Sequence, residues 1–396
     1  MTETAVVVIG GGATGVGVAR DLAMRGVDVV LCERNGLGSG TTGRSHGLLH
    51  SGARYATVDP EGAAECIRES RILRDIAGES VQRTDGLFVQ LEGDDPDAFE
   101  ARIEACRDVG IPVEELSAEA ASEAEPELAP ALTRAFRVPD GVIYPSRLVA
   151  ATAESARQHG ADIRPNAPVT DIVVEDDTVV AVETTDGRIA ADHVVNAGGA
   201  WAGRIAALAD VDLRMAPTKG VMVAVDVSGV DSVINRCRPP GDGDIVVPHD
   251  DRVVLGTTST PVSDPDDFPT DEAAIEAMVS EGAAMVPAVA AADVVDVYWG
   301  VRPLYGGEDG GRGRDASRGF QVHDHDVAGL TTVTGGKLTT YRLMAEAVSD
   351  AVCQRLGVAK PCRTAAEELP ADDIDELDAL VEAFDAAGPA DAGIVD

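Results

Sequence analysis

Ala5-Val6-Val7-Val8-Ile9-Gly10-Gly11-Gly12-Ala13-Thr14-Gly15-Val16 is the stretch that decides the fold. It opens as an unbroken, β-branched apolar run, the pattern of a strand buried on both faces. The glycines follow at once, and Val16, Ala19, Leu22 and Ala23 then recur at helical spacing. A second apolar run over residues 27–32 ends at Glu33. Strand, glycine turn, helix, strand and acid, in that order, are the parts of a dinucleotide site. Gly10 permits the tight turn, Gly12 lets backbone approach a diphosphate, and Gly15 lets the helix lie close on the strand. The helix N-terminus turns N–H groups and a positive dipole end toward the anion, with Thr14 in its first turn. Glu33 accepts from the ribose hydroxyls.

Working outward, residues 34–55 form a long loop of small and hydroxyl residues where an NAD dehydrogenase would enter another plain helix. Such a loop suits an extended ligand, with Thr41, Thr42 and Ser45 offering hydroxyls. A second glycine-to-helix junction, Gly335-Gly336-Lys337-Leu338-Thr339, precedes a helix reaching residue 356. Two anion sites on one chain favour FAD over NAD.

Further strands are expected at 161–166, 169–174, 193–196 and 330–334, with a hairpin through 175–187 and a helix over 147–159 capped by Ser146. Helices are expected at 61–77, 96–109, 117–130 and 270–285, the last with Ala274, Ala277 and Met278 on its buried side. A strand is expected at 84–91 between the helices at 61–77 and 96–109, and short, turn-bounded β-rich runs at 221–227, 244–248 and 252–257 point to a second, mostly antiparallel sheet over residues 212–300. The fold class is α/β: a Rossmann-like, glutathione-reductase-like FAD-binding domain with a second α+β domain. Residues 1–60, 141–211 and 297–358 are assigned to the first, 61–140 and 212–296 to the second or cap domain. Residues 359–396 are an acidic, partly helical tail. Ile374, Leu377, Leu380, Val381 and Phe384 share one helical face there, to pack on the body or on a partner.

Glycines 10–15, Glu33-Arg34 and residues 41–55 (TTGRSHGLLHSGARY) resemble the FAD-dependent glycerol-3-phosphate dehydrogenases, within the D-amino-acid-oxidase-like flavoprotein superfamily. The H-S-G-A-R-Y form is most similar to the large (A) subunit of the anaerobic enzymes. The resemblance extends to about residue 365 and implies oxidation of glycerol 3-phosphate, electrons leaving through iron–sulfur and membrane-anchor subunits to quinone. It implies cofactor contacts at Arg34, His46, Gly47, Leu48, Val169, Ala197, Gly198, Trp201 and Gly300, beside Gly335 to Thr339. Arg54, Arg302 and Arg318 match motifs whose arginines hold substrate in the family. Arginine forks are the best donors for a phosphate dianion. Lys337 would sit near the flavin pyrimidine edge and Tyr55 would hydrogen-bond substrate. His50 is the first choice of base, the other reading being that it only hydrogen-bonds backbone near the flavin, with His46 and His249 as alternatives and Arg302 as an alternative polariser of the alcohol.

Composition narrows the partners. The 396 residues are 44% hydrophobic and carry a net charge of −37, with Lys219, Lys337 and Lys360 the only lysines. That argues against nucleic acid or anionic lipid as a direct partner and suggests adaptation to high salt. Cysteines 32, 66, 106, 237, 353 and 362 are scattered without C-x-x-C or metal spacing, so no metal is expected. The first apolar run is a short strand rather than a signal peptide, and no stretch approaches the ~18 apolar residues of a membrane span. The expected location is cytoplasmic, peripheral on the inner face of the cell membrane through partners. The cysteine-rich iron–sulfur region of the anaerobic type is not found in the sequence. Two other readings remain: an amino-acid or 2-hydroxy-acid oxidase of the same superfamily, or a non-catalytic flavin-holding subunit.

Overall fold

The computed structural model describes residues 2–239, 241–306, 319–371 and 373–392. The opening run forms the strand Thr2–Ile9, whose side chains alternate between two cores. Val6 and Val8 join Val16, Leu22, Leu148, Val149 and Val348 on one side, while Val7 and Ile9 join Ile172, Val182, Ile189 and Leu330 on the other. Burial on both faces requires helices on one side and chain on the other, and the topology supplies them. Thr2–Ile9 pairs in parallel with Val29–Cys32 and Gly187–Asn196, which are extended in parallel by Asp162–Arg164 and Leu330–Gly335. The meander Val169–Glu175, Thr178–Thr184, Gly187–Asn196 completes one edge, and Phe320–Asp324 lies antiparallel on Leu330–Gly335. Helices Ala13–Met24, Pro145–Gln158 and Tyr341–Leu356 cover the Val6 face.

Among the described residues the second sheet has nine strands and is antiparallel except where Val233–Arg236 meets Gly86–Leu91. Its order runs from Thr260–Pro261 through Thr218–Val225, Arg252–Gly256, Ile245–His249, Val233–Arg236, Gly86–Leu91 and Leu132–Val138 to Glu114–Ser117. Val294–Arg302 pairs along Thr218–Val225, so the division expected at residue 297 falls inside a strand of this sheet. Among the described residues after 302, the chain rejoins the first sheet with Phe320–Asp324.

Several local expectations are corrected. The Ala/Glu-rich run at 117–130 gives only the short helix Ala118–Ala124, whose N-cap Ser117 accepts from Ala120 N. Strands Glu114–Ser117, Leu132–Val138, Val233–Arg236 and Phe320–Asp324 were not anticipated. They mix Arg, Glu, Asn and Gln with apolar residues, and cross-sheet partners rather than local pattern hold them. Ala277 is exposed; Met278, Gly282 and Met285 form the buried side of Glu272–Met285. Ser146 is not the cap of its helix, because Tyr144 holds that position and Ser146 N donates to the Asp391 carboxylate at 2.8 Å.

The tail packs on the body. In Ile374–Ala383, Leu377 and Val381 are buried against the Pro145–Gln158 helix with Phe384, and Asp378 grips Arg147 at 2.7 and 3.0 Å.

Candidate active site

The glycine turn is built by contact. Gly10 has φ +111°, and a Cβ there would stand 2.5 Å from the Ala197 carbonyl oxygen. A Cβ on Gly15 would stand 1.8 Å from the Gly10 oxygen, so the helix reaches the turn only because that atom is missing. Gly12 is the N-cap of Ala13–Met24 and provides no side-chain cap. Thr42 Oγ1 instead accepts from Ala13 N at 3.2 Å, drawing the loop onto the helix end. At the far end Glu33 accepts from Gly11 N (2.7 Å) and Asn35 N (3.1 Å). Burial pushes its carboxyl up, and those backbone bonds oppose the shift.

One cavity of about 440 Å³ runs from Glu33 to Lys337. Of the expected cofactor residues, Gly10, Gly12, Thr14, Glu33, Arg34, Thr41, Thr42, Ser45, His46 and Leu48 line it, as do Val169, Ala197, Gly198, Trp201, Arg302, Gly335, Gly336, Lys337 and Leu338. Gly15, Gly47, Gly300 and Thr339 lie behind that wall. A Cβ on Gly47 would meet the Ile143 oxygen at 2.7 Å, and one on Gly300 the Arg44 oxygen at 2.4 Å. These two glycines admit neighbouring chain rather than ligand. The second glycine junction differs from expectation too: Leu338–Thr340 is a 3-10 turn, and the helix begins at Tyr341. At the cavity's outer end Arg34 stacks over Trp201 at 4.4 Å. Asp266, from the second sheet's side, accepts from Arg34 (3.3 Å) and Trp201 Nε1 (2.9 Å) and from Arg204.

The other end of the cavity is made of side chains. His50, Arg54, Tyr55, Arg302 and Lys337 all line it, though the chain between the first and last is long. Arg318 lies outside the described residues. His50 is 7% exposed and its Nε2 is 3.3 Å from the Tyr55 hydroxyl, while its backbone N donates to Thr339 Oγ1 at 3.0 Å. Lys337 Nζ sits 4.7 Å above the Tyr55 ring and 3.7 Å from Asp59. Arg302 donates to Thr257 Oγ1 (3.2 Å) and the Thr258 carbonyl (3.0 Å). Arg54 donates to Asp244, 1% exposed, at 3.3 Å, and its carbonyl accepts from Arg102 at 2.9 Å.

His46 lines the cavity, its Nδ1 accepting from Leu48 N at 3.2 Å and its ring edge-on to His50. His249 does not line it. It is fully buried, its Nε2 donates to the His46 carbonyl at 3.1 Å, and burial holds its pKa down at about 4. That removes it as a candidate base and makes it a support for the His46–Gly47 chain.

Sequence reading missed Asp244, Arg102, Asp59 and Asp266, single charged residues with no local pattern. It also missed Thr257 and Thr258, although a hydroxyl run ending a strand is a signal that invites attention.

A glycine turn that tolerates no side chain, a helix N-terminus whose cap residue Gly12 has no side chain of its own, and a half-buried acid at the end of the second strand fit a dinucleotide at one end. Cations beside a His–Tyr pair fit an anionic substrate at the other. Residues 5–342 match the family described as FAD dependent oxidoreductase, and the chain belongs to it; its cofactor is FAD. The chain is 50% identical over 388 residues to the A1 subunit of the anaerobic glycerol-3-phosphate dehydrogenase of Haloferax volcanii, covering 92% of this chain and 66% of that protein. It is 45% identical to the A subunit of the Escherichia coli K12 enzyme, over 92% of this chain and 70% of that one. The chain thus spans about two thirds of the length of these curated relatives. Among solved structures, the FAD complex of the Bacillus halodurans glycerol-3-phosphate dehydrogenase superimposes with a TM-score of 0.71 at 26% identity, over 93% of this chain and 68% of that one.

Proposed function

We propose that this chain oxidises sn-glycerol 3-phosphate to dihydroxyacetone phosphate. One observation carries the reading: Arg54, Arg302 and Lys337, from three distant segments of a chain with net charge −37, face one cavity beside the His50–Tyr55 pair. The curated relatives carry the same activity in their names.

Arg54 and Arg302 grip the phosphate, each aimed by its own support, Asp244 for the first and the Thr257-Thr258 turn for the second. Fixing the phosphate would orient the carbinol carbon within the cavity, so that positioning rather than chance encounter brings it to the bound flavin. FAD, when bound, supplies the two-electron acceptor for the hydride of the C–H bond. The hydroxyl proton passes to His50 Nε2, with the Tyr55 hydroxyl steering the alcohol toward it. Lys337 adds positive charge to the same end, and Asp59 keeps the ammonium in place.

Anaerobic titration of the yellow holoprotein with glycerol 3-phosphate tests this. Bleaching of the flavin band is expected, with none from glycine, sarcosine or 2-hydroxyglutarate. Bleaching by one of those acids instead would assign the oxidase reading; no bleaching by any would leave a flavin-holding subunit.

Electrons then leave through a partner protein carrying iron–sulfur centres to a membrane quinone, with this chain held peripherally at the inner face. Support comes from the word "subunit" in the relatives' names. No helix among the described residues is long and apolar enough to cross a membrane, and no described group of His, Cys, Asp and Glu has the makings of a metal site.

A further inference from the structure

Residues 384–391 run along the outer side of the loop whose inner side lines the cavity. Leu37 N donates to the Phe384 carbonyl at 3.3 Å, and Ala390 N donates to the Gly43 carbonyl at 3.0 Å. Between these bonds the two chains touch backbone to backbone. A Cβ on Gly36 would stand 1.7 Å from the Asp385 oxygen, and one on Gly388 would stand 3.0 Å from Gly43 Cα. Gly36 and Gly388 are therefore glycines for the sake of this contact.

The segment is pinned at its end. Asp391 is fully buried, and its carboxylate accepts from Ser146 N (2.8 Å) and Ser146 Oγ (2.5 Å). Gly388 N donates back to the same hydroxyl at 3.1 Å. Burial raises the Asp391 carboxyl, and the Ser146 bonds work against that shift. Ala390 meanwhile packs with Met222, Ala224, Val254 and Tyr298 of the second sheet. Tyr298 donates to the Ser45 carbonyl at 3.0 Å, so the loop is held from that side as well.

On its inner side the same loop presents Thr41, Thr42 and Ser45 to the cavity. Its one regular piece of structure is the 3-10 turn Thr42–Arg44. A loop of this composition, left alone, would lose much conformational freedom on closing around a ligand, a cost that ordering it beforehand removes.

We propose that residues 384–391 form the outer wall of the FAD site and that Asp391 is a positioning residue, holding the 36–45 loop in its cofactor-binding form before FAD arrives. The tail that reads in sequence as an acidic appendage is part of the cofactor site.

The test measures FAD release from the purified holoprotein at 25 °C, by recovery of free-flavin fluorescence, alongside thermal midpoints of holo and apo forms. Asp391→Asn is nearly isosteric but offers an NH₂ where a second acceptor stood, and should speed FAD release about 5-fold. Deletion of residues 385–396 should speed it at least 30-fold, and the holo-minus-apo midpoint difference should shrink in step. If both variants keep the parent release rate while the midpoints fall, the tail only covers the core and the inference is overturned. If the deletion fails to fold, Asp391→Asn and Ser146→Ala decide alone, and an unchanged release rate in both overturns it equally. A parent protein that retains no FAD would instead overturn the cofactor assignment itself.

Discussion

The two ends of the cavity are built from different materials. At the Glu33 end the wall is largely backbone, with Gly10, Gly12, Gly198 and residues 39–42, the Glu33 carboxylate and the Arg34–Trp201 stack at its rim. At the Lys337 end it is mostly side chain, with Arg54, Arg302 and Lys337 each held by a partner from elsewhere in the chain and His50 paired with the nearby Tyr55. A backbone wall is sensitive to a single added atom and nearly indifferent to charge. A side-chain wall tolerates small changes of shape and fails when charge or fork geometry changes.

The largest effect should follow from adding one carbon at the first end. Gly15→Ala places a methyl 1.8 Å from the Gly10 oxygen, where neither backbone can yield without opening the turn. The expected protein carries no flavin, seen as a missing absorbance band near 450 nm, or does not fold at all. Stoichiometric FAD in Gly15→Ala would break the contrast between the two ends. At the second end Arg54→Ala should keep its flavin and lose about 10³-fold in kcat/KM for glycerol 3-phosphate, about 4 kcal/mol of transition-state binding. Arg54→Lys should recover only part of this, because an ammonium lacks the planar fork that Asp244 orients. Steady-state kinetics with full flavin occupancy checks both. Equal activity of Arg54→Lys and the parent would show that the charge alone suffices.

The same contrast explains what the sequence made legible. The glycine turn lies within a few residues of itself, so steric demand and motif coincide, and the strand, turn, helix and acid could be read in order. The substrate-end residues were found through motifs, yet nothing local announced what holds them. Asp244 is one acid among many in an acidic chain, and its partner Arg54 stands far from it in sequence. Gly36 looked like loop composition and is a packing requirement of Asp385, which lies at the other end of the chain. The hairpin expected through 175–187 holds a tight turn, Asp176 and Asp177 having φ +49° and +60°, the form a two-residue hairpin demands. Strand Val233–Arg236 was missed because its order, Val-Ile-Asn-Arg, gives no alternation to read.

A smaller effect sits at the joint between the two ends. His249 holds the His46 carbonyl, and a Cβ on neighbouring Gly47 would meet its ring at 2.8 Å. Burial keeps its pKa at about 4, against the ordinary 6.5 of an imidazole in water. Below pH 6.5 the unfolded chain takes up a proton that the folded chain refuses until about pH 4, so stability falls as pH drops through that window. The loss reaches at most roughly 3 kcal/mol for this group, and His193, also held near 4 by burial, adds a similar slope. His249→Gln should therefore be less stable than the parent at pH 7.5 and lose less on acidification to pH 5. Parallel pH profiles of thermal midpoint for the two proteins would mean that His249 titrates normally and is not sealed in.

The smallest effect concerns salt. A net charge of −37 means that added salt should raise the thermal midpoint by relieving repulsion across the surface. Substrate binding should respond far less. At 1 M ions the screening length is ~3 Å, comparable to the Arg54–Asp244 and Lys337–Asp59 contacts of 3.3 and 3.7 Å. These groups are also largely enclosed, with the Lys337 side chain 7% and that of Arg54 12% exposed. Mobile ions cannot enter between partners so close, so KM for glycerol 3-phosphate should change by no more than about 3-fold between 0.5 and 3 M KCl. A rise above 10-fold, with the fold and flavin retained, would mean that the cations act through long-range field rather than contact. The phosphate grip would then have to be sought elsewhere on the molecule.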